Sequence, residues 1–338
     1  MVSAAPVSTE NAWMMTNGGL ENLIVSLREA PDASAARKIL AELRATLSAM
    51  PTNVATSFIR GFLDSKADTS TQLGFKIGDH GLLDEAPTLR TFLLDELARI
   101  DPVAAADYSK VILANKDSPD EWAVALRNLA RGDDSDGGRQ LLQQKINEML
   151  QYEPWQQNPS VGFLEAFDVA VYLGGDSLMP TLTDMVRQQD NPAVAHASFL
   201  ALDRLVINDP TTTLNALLAN MDSMQGRELT RADYFSRADV RDPQQEQILE
   251  NYLLNPKTTE AEIDAFASVF PSANFMISPN LMTQSPTMDR NTLVNRDAAA
   301  LRVVQQWLAD PRFVQLRPEL QQTAARLQEF VQQENGSR

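Results

Sequence analysis

The sharpest candidate for catalysis in this chain is a serine, in Gly175-Asp176-Ser177-Leu178 directly after the apolar run Val169 to Leu173. A serine hydroxyl becomes a nucleophile only with a general base beside it and a third group to orient that base. The chain holds two histidines, His80 and His196, and none follows His196. Each residue of the stretch also has a structural use. Gly174 or Gly175 ends one helix, Asp176 or Ser177 caps the next, and Pro180 sits in its first turn. His80, in Gly78-Asp79-His80-Gly81, is a loop imidazole beside a carboxylate, a pairing that suits acid or base work, but no nucleophile or second base stands near it. His196 falls inside an apolar helix and reads as a packed or partly exposed helical residue. Asp133-Asp134-Ser135-Asp136-Gly137 has the oxygen-rich start of a calcium loop, yet aligning Gly137 with the loop glycine puts Gly132 at the first ligand and Gln143 at the last. An acidic, solvated turn is expected there. With no cysteine in the chain, disulfides, thiolate catalysis and cysteine-built zinc sites are excluded. No catalytic residue, metal or cofactor is therefore assigned.

Two groups of residues suit binding instead. Arg227, Arg231, Arg237 and Arg241 with Tyr234 and Phe235 form the one cationic, aromatic concentration, a contact for a phosphate or an acidic peptide. Glu228, Asp233, Asp239 and Asp242 cancel that charge, and a salt-bridged connection is the competing expectation. Phe275, Met276, Leu281, Met282 and Met288 lie in the longest irregular stretch, residues 271–296, where methionines suit an adaptable partner surface. They can equally pack back onto the rest of the chain.

The elements that must position these residues read as helices throughout. Only 14 of 338 residues are glycine, below the usual share of about 7 per cent, and Ala, Leu, Gln, Glu and Arg fill the long runs. Apolar residues recur at helical spacing at Leu20, Leu23, Ile24 and Leu27, then at Ile39, Leu40, Leu43 and Leu47 before Pro51 closes that helix. Val54 to Leu63 is a third helix, and Ser65 to Gly81 a polar connection without period. Helices then run from Ala86 to Ile100, Val103 to Ala114, Asp120 to Arg131, Gln140 to Tyr152, Val161 to Leu173, Ser177 to Gln189, Pro192 to Ile207 and Thr211 to Met224. Asp101-Pro102 and Ser118-Pro119 each place a capping oxygen before a residue whose missing N–H costs nothing at a helix start. Beyond Met224 the pattern loosens, with helices at Gln244 to Leu254, Thr259 to Val269, Ala298 to Ala309 and Pro318 to Gln333. Thr259 with Glu262 fits a capping box. No alternating run reaches strand length.

One stretch, Phe167 to Leu218, is patterned like a repeat. Asp190-Asn191-Pro192 leads into a helix where Val194, Ser198, Ala201, Leu202 and Leu205 combine small residues for close helix approach with leucines for the seam. This combination resembles the HEAT repeats, particularly the short bacterial HEAT-like kind, although Ala195 stands where that family carries an arginine. Pro87-Thr88-Leu89-Arg90 with Leu97 and Ile100 is a second, partial copy, in which Leu93 and Glu96 replace the small residues. Ala125, Leu126 and Leu129 are a weaker third. The resemblance covers Ala86 to Met224 and implies an all-α fold, an α-α superhelix of antiparallel helix pairs. Residues 1–15 are then a tail, 16–224 the array and 225–338 a helical C-terminal part. Gly175 to Leu178 also matches the signature of the GDSL esterases. That family needs a later histidine and a sheet, both missing from this sequence.

The expected function is that of a non-enzymatic helical-repeat scaffold that binds a protein or peptide; the alternative is a hydrolase with a carboxylate-based site on an all-α scaffold, such as a toroid glycosidase. A net charge of −16 argues against nucleic acid as a partner. No window is long and apolar enough to span a bilayer, so a soluble chain is expected. Met1-Val-Ser-Ala-Ala-Pro lacks the basic and apolar regions of a signal peptide, so a cytoplasmic location is the default, with a periplasmic or secreted one if the sequence is a mature fragment. The superhelix predicts a strongly helical far-UV spectrum and an elongated scattering profile for the isolated chain, and a compact globular profile contradicts it.

Overall fold

Many helices in this chain start where a short side chain offers an oxygen to the unsatisfied N–H groups of the first turn, whereas α-helices opening after Pro51, Tyr152, Leu178 and Arg227 have no side-chain cap. The computed structural model describes residues 9–174, 177–188, 190–273, 278–285 and 287–336. In order these form α1 (Thr9–Arg28), α2 (Ala33–Ala49), α3 (Thr52–Asp64), β1 (Lys76–Ile77), β2 (Leu83–Glu85), α4 (Leu89–Ile100), α5 (Pro102–Ile112), α6 (Pro119–Gly132) and α7 (Asp136–Leu150). The short α8 (Glu153–Gln157), α9 (Val161–Glu165) and α10 (Phe167–Leu173) follow, then α11 (Met179–Val186), α12 (Pro192–Asn208) and α13 (Pro210–Ala219). The last are α14 (Glu228–Ser236), α15 (Pro243–Leu253), α16 (Glu260–Val269), α17 (Arg290–Ala309) and α18 (Arg317–Gly336). The fold is all-α. Asp101 accepts from the Ala104 N–H at 3.0 Å and Ser118 from Glu121 at 3.3 Å, each one residue before a helix-opening proline. Asn191 and Asp209 do the same for α12 and α13. Asp101 is at once the last residue of the α4 end and the cap of α5, and Asp209 joins α12 to α13 in the same way.

Three local expectations change. α1 starts at Thr9, inside the stretch read as a tail. The run Val161 to Leu173 is two helices meeting at Ala166, because apolar spacing carries across the break and hides it. The polar stretch after α3 leads into an antiparallel hairpin in which Lys76 pairs with Glu85 and Ile77 with Leu83, strands too short to show alternation in sequence.

Two compact units divide the chain: Met1–Val169 with Pro279–Thr283, and Ala170–Ser278 with Gln284–Arg338. In the first unit α5 packs on both α4 and α6, and α6 also meets α7 and α9. Gly132 makes the α5–α6 approach possible, since a Cβ there would stand 2.4 Å from the Pro102 carbonyl oxygen and 2.7 Å from the Ala106 Cβ. α4 and α6 are buried on nearly every side, and with their leucines go Asp95, Glu96, Arg127 and Asn128. Buried charge must be paired and hydrogen-bonded. Arg127 Nη1 donates to Asp95 at 2.5 Å and to the Gly81 carbonyl at 2.8 Å, and its Nε and Nη2 both donate to Asn128 Oδ1. Asp95 accepts from the Leu83 N–H at 3.1 Å, while Arg99 and Arg44 donate to the Leu83 carbonyl. The hairpin is thereby tied to the ionic centre. Arg90 caps the same stack from outside, with two bonds to Glu121 on α6 and one to the Leu63 carbonyl.

The second unit pairs α11 with α12, α13 with α15, α14 with α16, and α17 with α18. A run of rings carries its core: Phe235 stacks on Tyr252 at 3.9 Å, and Phe266, Phe270, Trp307 and Phe313 continue the series.

Replacing Arg127 with methionine removes the fully buried cation beside Asp95 and leaves that carboxylate with Arg99 and the Leu83 N–H. The expected loss of unfolding free energy is about 3–5 kcal/mol by urea titration, with a smaller loss in the D95N/R127M double variant. A single-variant loss below about 1 kcal/mol contradicts the role given to this pair.

Candidate functional site

The arginine and aromatic concentration lies inside the second unit. Arg231 is 3 % exposed and makes two 2.7 Å bonds to the Glu262 carboxylate, which also accepts from the Tyr252 hydroxyl at 2.8 Å. Thr259 caps α16, but Glu262 is spent on this pair instead of closing a capping box. Tyr234 and Phe235 are buried completely, and Tyr234 donates to the Phe199 carbonyl. Arg237 is buried against Asp203, and Arg241 pairs with Asp239. Arg227, at the start of α14, stays half-buried. The reason is energetic: α14 is packed against both α16 and α12, so Arg231 and the neighbouring Arg237 go where a carboxylate awaits them, Glu262 on α16 and Asp203 on α12.

The catalytic candidates separate in the same way. Gly175 and Asp176 lie outside the described residues; Gly174 takes the left-handed conformation of a helix C-cap (φ +81), and Ser177 is exposed. His196 is an exposed helical residue stacked on Phe199, and the His80 side chain is exposed. Asp133 is occupied in its own turn, accepting from Ser135 and pairing with Lys110, which hold its carboxyl below the usual range. Among the described residues no group of three metal-ligating side chains is placed to hold an ion, and no helix is long and apolar enough to cross a membrane.

The irregular stretch is where the structure brings unexpected chemistry together. Phe275 and Met276 lie outside the described residues. Met288 is half-buried, its sulfur accepting from Arg296 at 3.4 Å, and it lines a cavity of about 800 Å³ in the second unit. Leu281 and Met282 belong to the first unit, within the five-residue segment Pro279–Thr283. There the Leu281 side chain is fully buried and its carbonyl accepts from Arg131 Nη2 at 2.8 Å. The N–H groups of Met282 and Thr283 donate to the Asp168 carboxylate at 2.7 and 2.8 Å, and the Thr283 hydroxyl donates to its other oxygen. Asp168 stands at the start of α10 and is 1 % exposed. Opposite it lies the hairpin loop, where Gly81 adopts φ +65 and a Cβ would stand 2.1 Å from the Leu281 carbonyl oxygen. Only glycine suits both demands.

Arg131 donates also to the His80 carbonyl, and Arg127 holds the Gly81 carbonyl from below, so the loop that faces the segment is fixed by the core. Asp168, Arg131, Gly81 and Thr283 were not among the candidates read from sequence. The available signal was Asp168 itself, a carboxylate in an apolar run that has to find donors once buried.

Comparison of the chain with protein-family models, curated proteins and solved structures gives no match.

In the second unit, burial pushes the Asp203 carboxyl up to about 6, against the pull of Arg237 and Arg204 and with help from Asp233. Its ordinary value is 3.8, so between these two pH values the folded chain holds the proton more firmly than the unfolded chain. The contribution of Asp203 to stability therefore falls as pH rises through that window and stays low above it. Urea midpoints for wild type and Asp203→Asn across this range check it: the wild-type slope is expected to be more negative than the variant's by up to about 1.4 kcal/mol per pH unit. Parallel slopes contradict it.

Proposed function

We propose that this protein is a non-enzymatic helical scaffold, its helix pairs arranged as a HEAT-like superhelix, that binds a protein or peptide partner through a short, bent stretch of the partner's main chain. The observation that supports this is the hold on Pro279–Thr283 in the first unit. Three of the four bonds described there involve main-chain groups, and one apolar side chain is buried as an anchor. In peptide recognition main-chain bonds give affinity and side-chain pockets give specificity, and the bend at Leu281 and Met282 is held by both kinds of contact. A carboxylate-based hydrolase draws no comparable support. Asp168 is engaged by N–H and O–H donors, and Glu96, raised above the ordinary carboxylate range by burial, pairs with Arg44 and Arg99 in the core.

Panning a random peptide library against the full chain is expected to enrich a defined consensus, and Asp168→Asn to weaken the enriched peptides by about tenfold, the loss of one charged acceptor. A glycosidase and esterase screen on the same sample is expected to stay at background. Turnover that survives repurification, or a library without enrichment, sinks the reading.

A further inference from the structure

Resting on the peptide-binding reading above, we propose that the first unit carries a recognition site for the sequence Leu-X-Thr held in a bend, and that Leu281-Met282-Thr283 is an exchangeable occupant of it. The site reads three things. A buried pocket takes the leucine, Arg131 takes the leucine carbonyl, and Asp168 takes two successive N–H groups and a hydroxyl. The middle residue is half-buried and contributes its N–H, so its side chain is open to variation, with proline excluded. Thr283 has to keep both a main-chain N–H and a hydroxyl, which admits serine as the one common substitute.

The receptor side is built from contacts in which the segment takes no part. Gly78 N–H donates to the Leu82 carbonyl at 2.7 Å, Arg127 holds Gly81, and Arg131 holds His80. A surface prepared in advance binds at low entropic cost. Asp168 supplies the need for an occupant, because a carboxylate this deeply buried is stabilised by each donor it gains. The in-chain segment meets that need through residues 114 and 115 positions away in sequence. It is therefore a tethered ligand, competing at an effective concentration on the millimolar scale set by its tether. A partner presenting Leu-X-Thr satisfies every contact equally well and exchanges with it.

The test uses a fluorescein-labelled synthetic peptide with the sequence of residues 278–285 and the full chain in three forms: wild type, Leu281→Asp, and Leu281→Asp with Asp168→Asn. An aspartate cannot occupy the leucine pocket, so the first variant vacates the site. It is expected to bind the peptide at least about tenfold more tightly than wild type, and adding Asp168→Asn is expected to lose that gain. Equal affinity of wild type and Leu281→Asp, or a gain that survives Asp168→Asn, overturns the proposal. Hydrogen exchange on the wild-type chain needs no variant. The Met282 and Thr283 amides are expected to exchange through local opening at least about a hundredfold faster than those of Leu126 and Leu129 in α6, and equal protection overturns the proposal. A chain that enriches library peptides but ignores this one fails here and leaves the scaffold reading standing; a chain that binds neither fails both.

Discussion

Burial of the Asp95–Arg127 pair between α4 and α6 is the constraint on which the first unit depends. Both helices are enclosed almost all round, so Asp95, Glu96 and Arg127 have no water to turn to. One guanidinium and one carboxylate neutralise each other, but a guanidinium has five N–H donors, and the carboxylate needs donors for its remaining lone pairs. Those are found in the hairpin backbone at Gly81 and Leu83. The position of a two-stranded element of five residues is therefore set by ions in the helical core. Because the hairpin is held there, its loop stands opposite Asp168 with a glycine in the one place where a side chain would obstruct the Leu281 carbonyl.

The second unit solves the same problem with different residues. Arg231 and Glu262 face each other with the guanidinium Nε and Nη2 donating to the two carboxylate oxygens, and the Tyr252 hydroxyl also donates to that carboxylate while its ring lies against Phe235. Charge and aromatic stacking are thus parts of one packed layer. A cluster that in sequence looks like a surface for anions is spent inside the unit, Arg231 on Glu262 of α16, Arg237 on Asp203 of α12 and Arg241 on Asp239.

Much of the fold is legible in the sequence because it depends on local rules. Asp101-Pro102, Ser118-Pro119 and Asn191-Pro192 cap the helices that their residue types predict, and the all-α class follows from composition and spacing. What escaped notice depends on contacts distant in sequence. The hairpin is too short to carry a period, and its partners are side chains on helices that precede and follow it. The break at Ala166 leaves the apolar spacing undisturbed. Leu281 and Met282 stood out by type, whereas Asp168, which gathers the Met282 and Thr283 N–H groups, looked like a lone charge in an apolar run until the segment was seen beside it. Glu262 misled for the opposite reason: its spacing from Thr259 matches a local motif, and a stronger partner, Arg231, lies elsewhere in the chain.

The one-residue corners at Asp101 and Asp209 bear on the order in which the chain assembles. A helix pair joined by a single residue closes almost no loop, so its contacts form with little entropic cost and early in folding. The bond from Arg131 to Leu281 closes a loop of 150 residues. Within the first unit that closure carries the largest entropic cost and the fewest local contacts to support it. Helix corners should therefore consolidate first and the Pro279–Thr283 segment settle last, after the surface that receives it is complete. The receptor is finished before its ligand arrives, even when both belong to one chain.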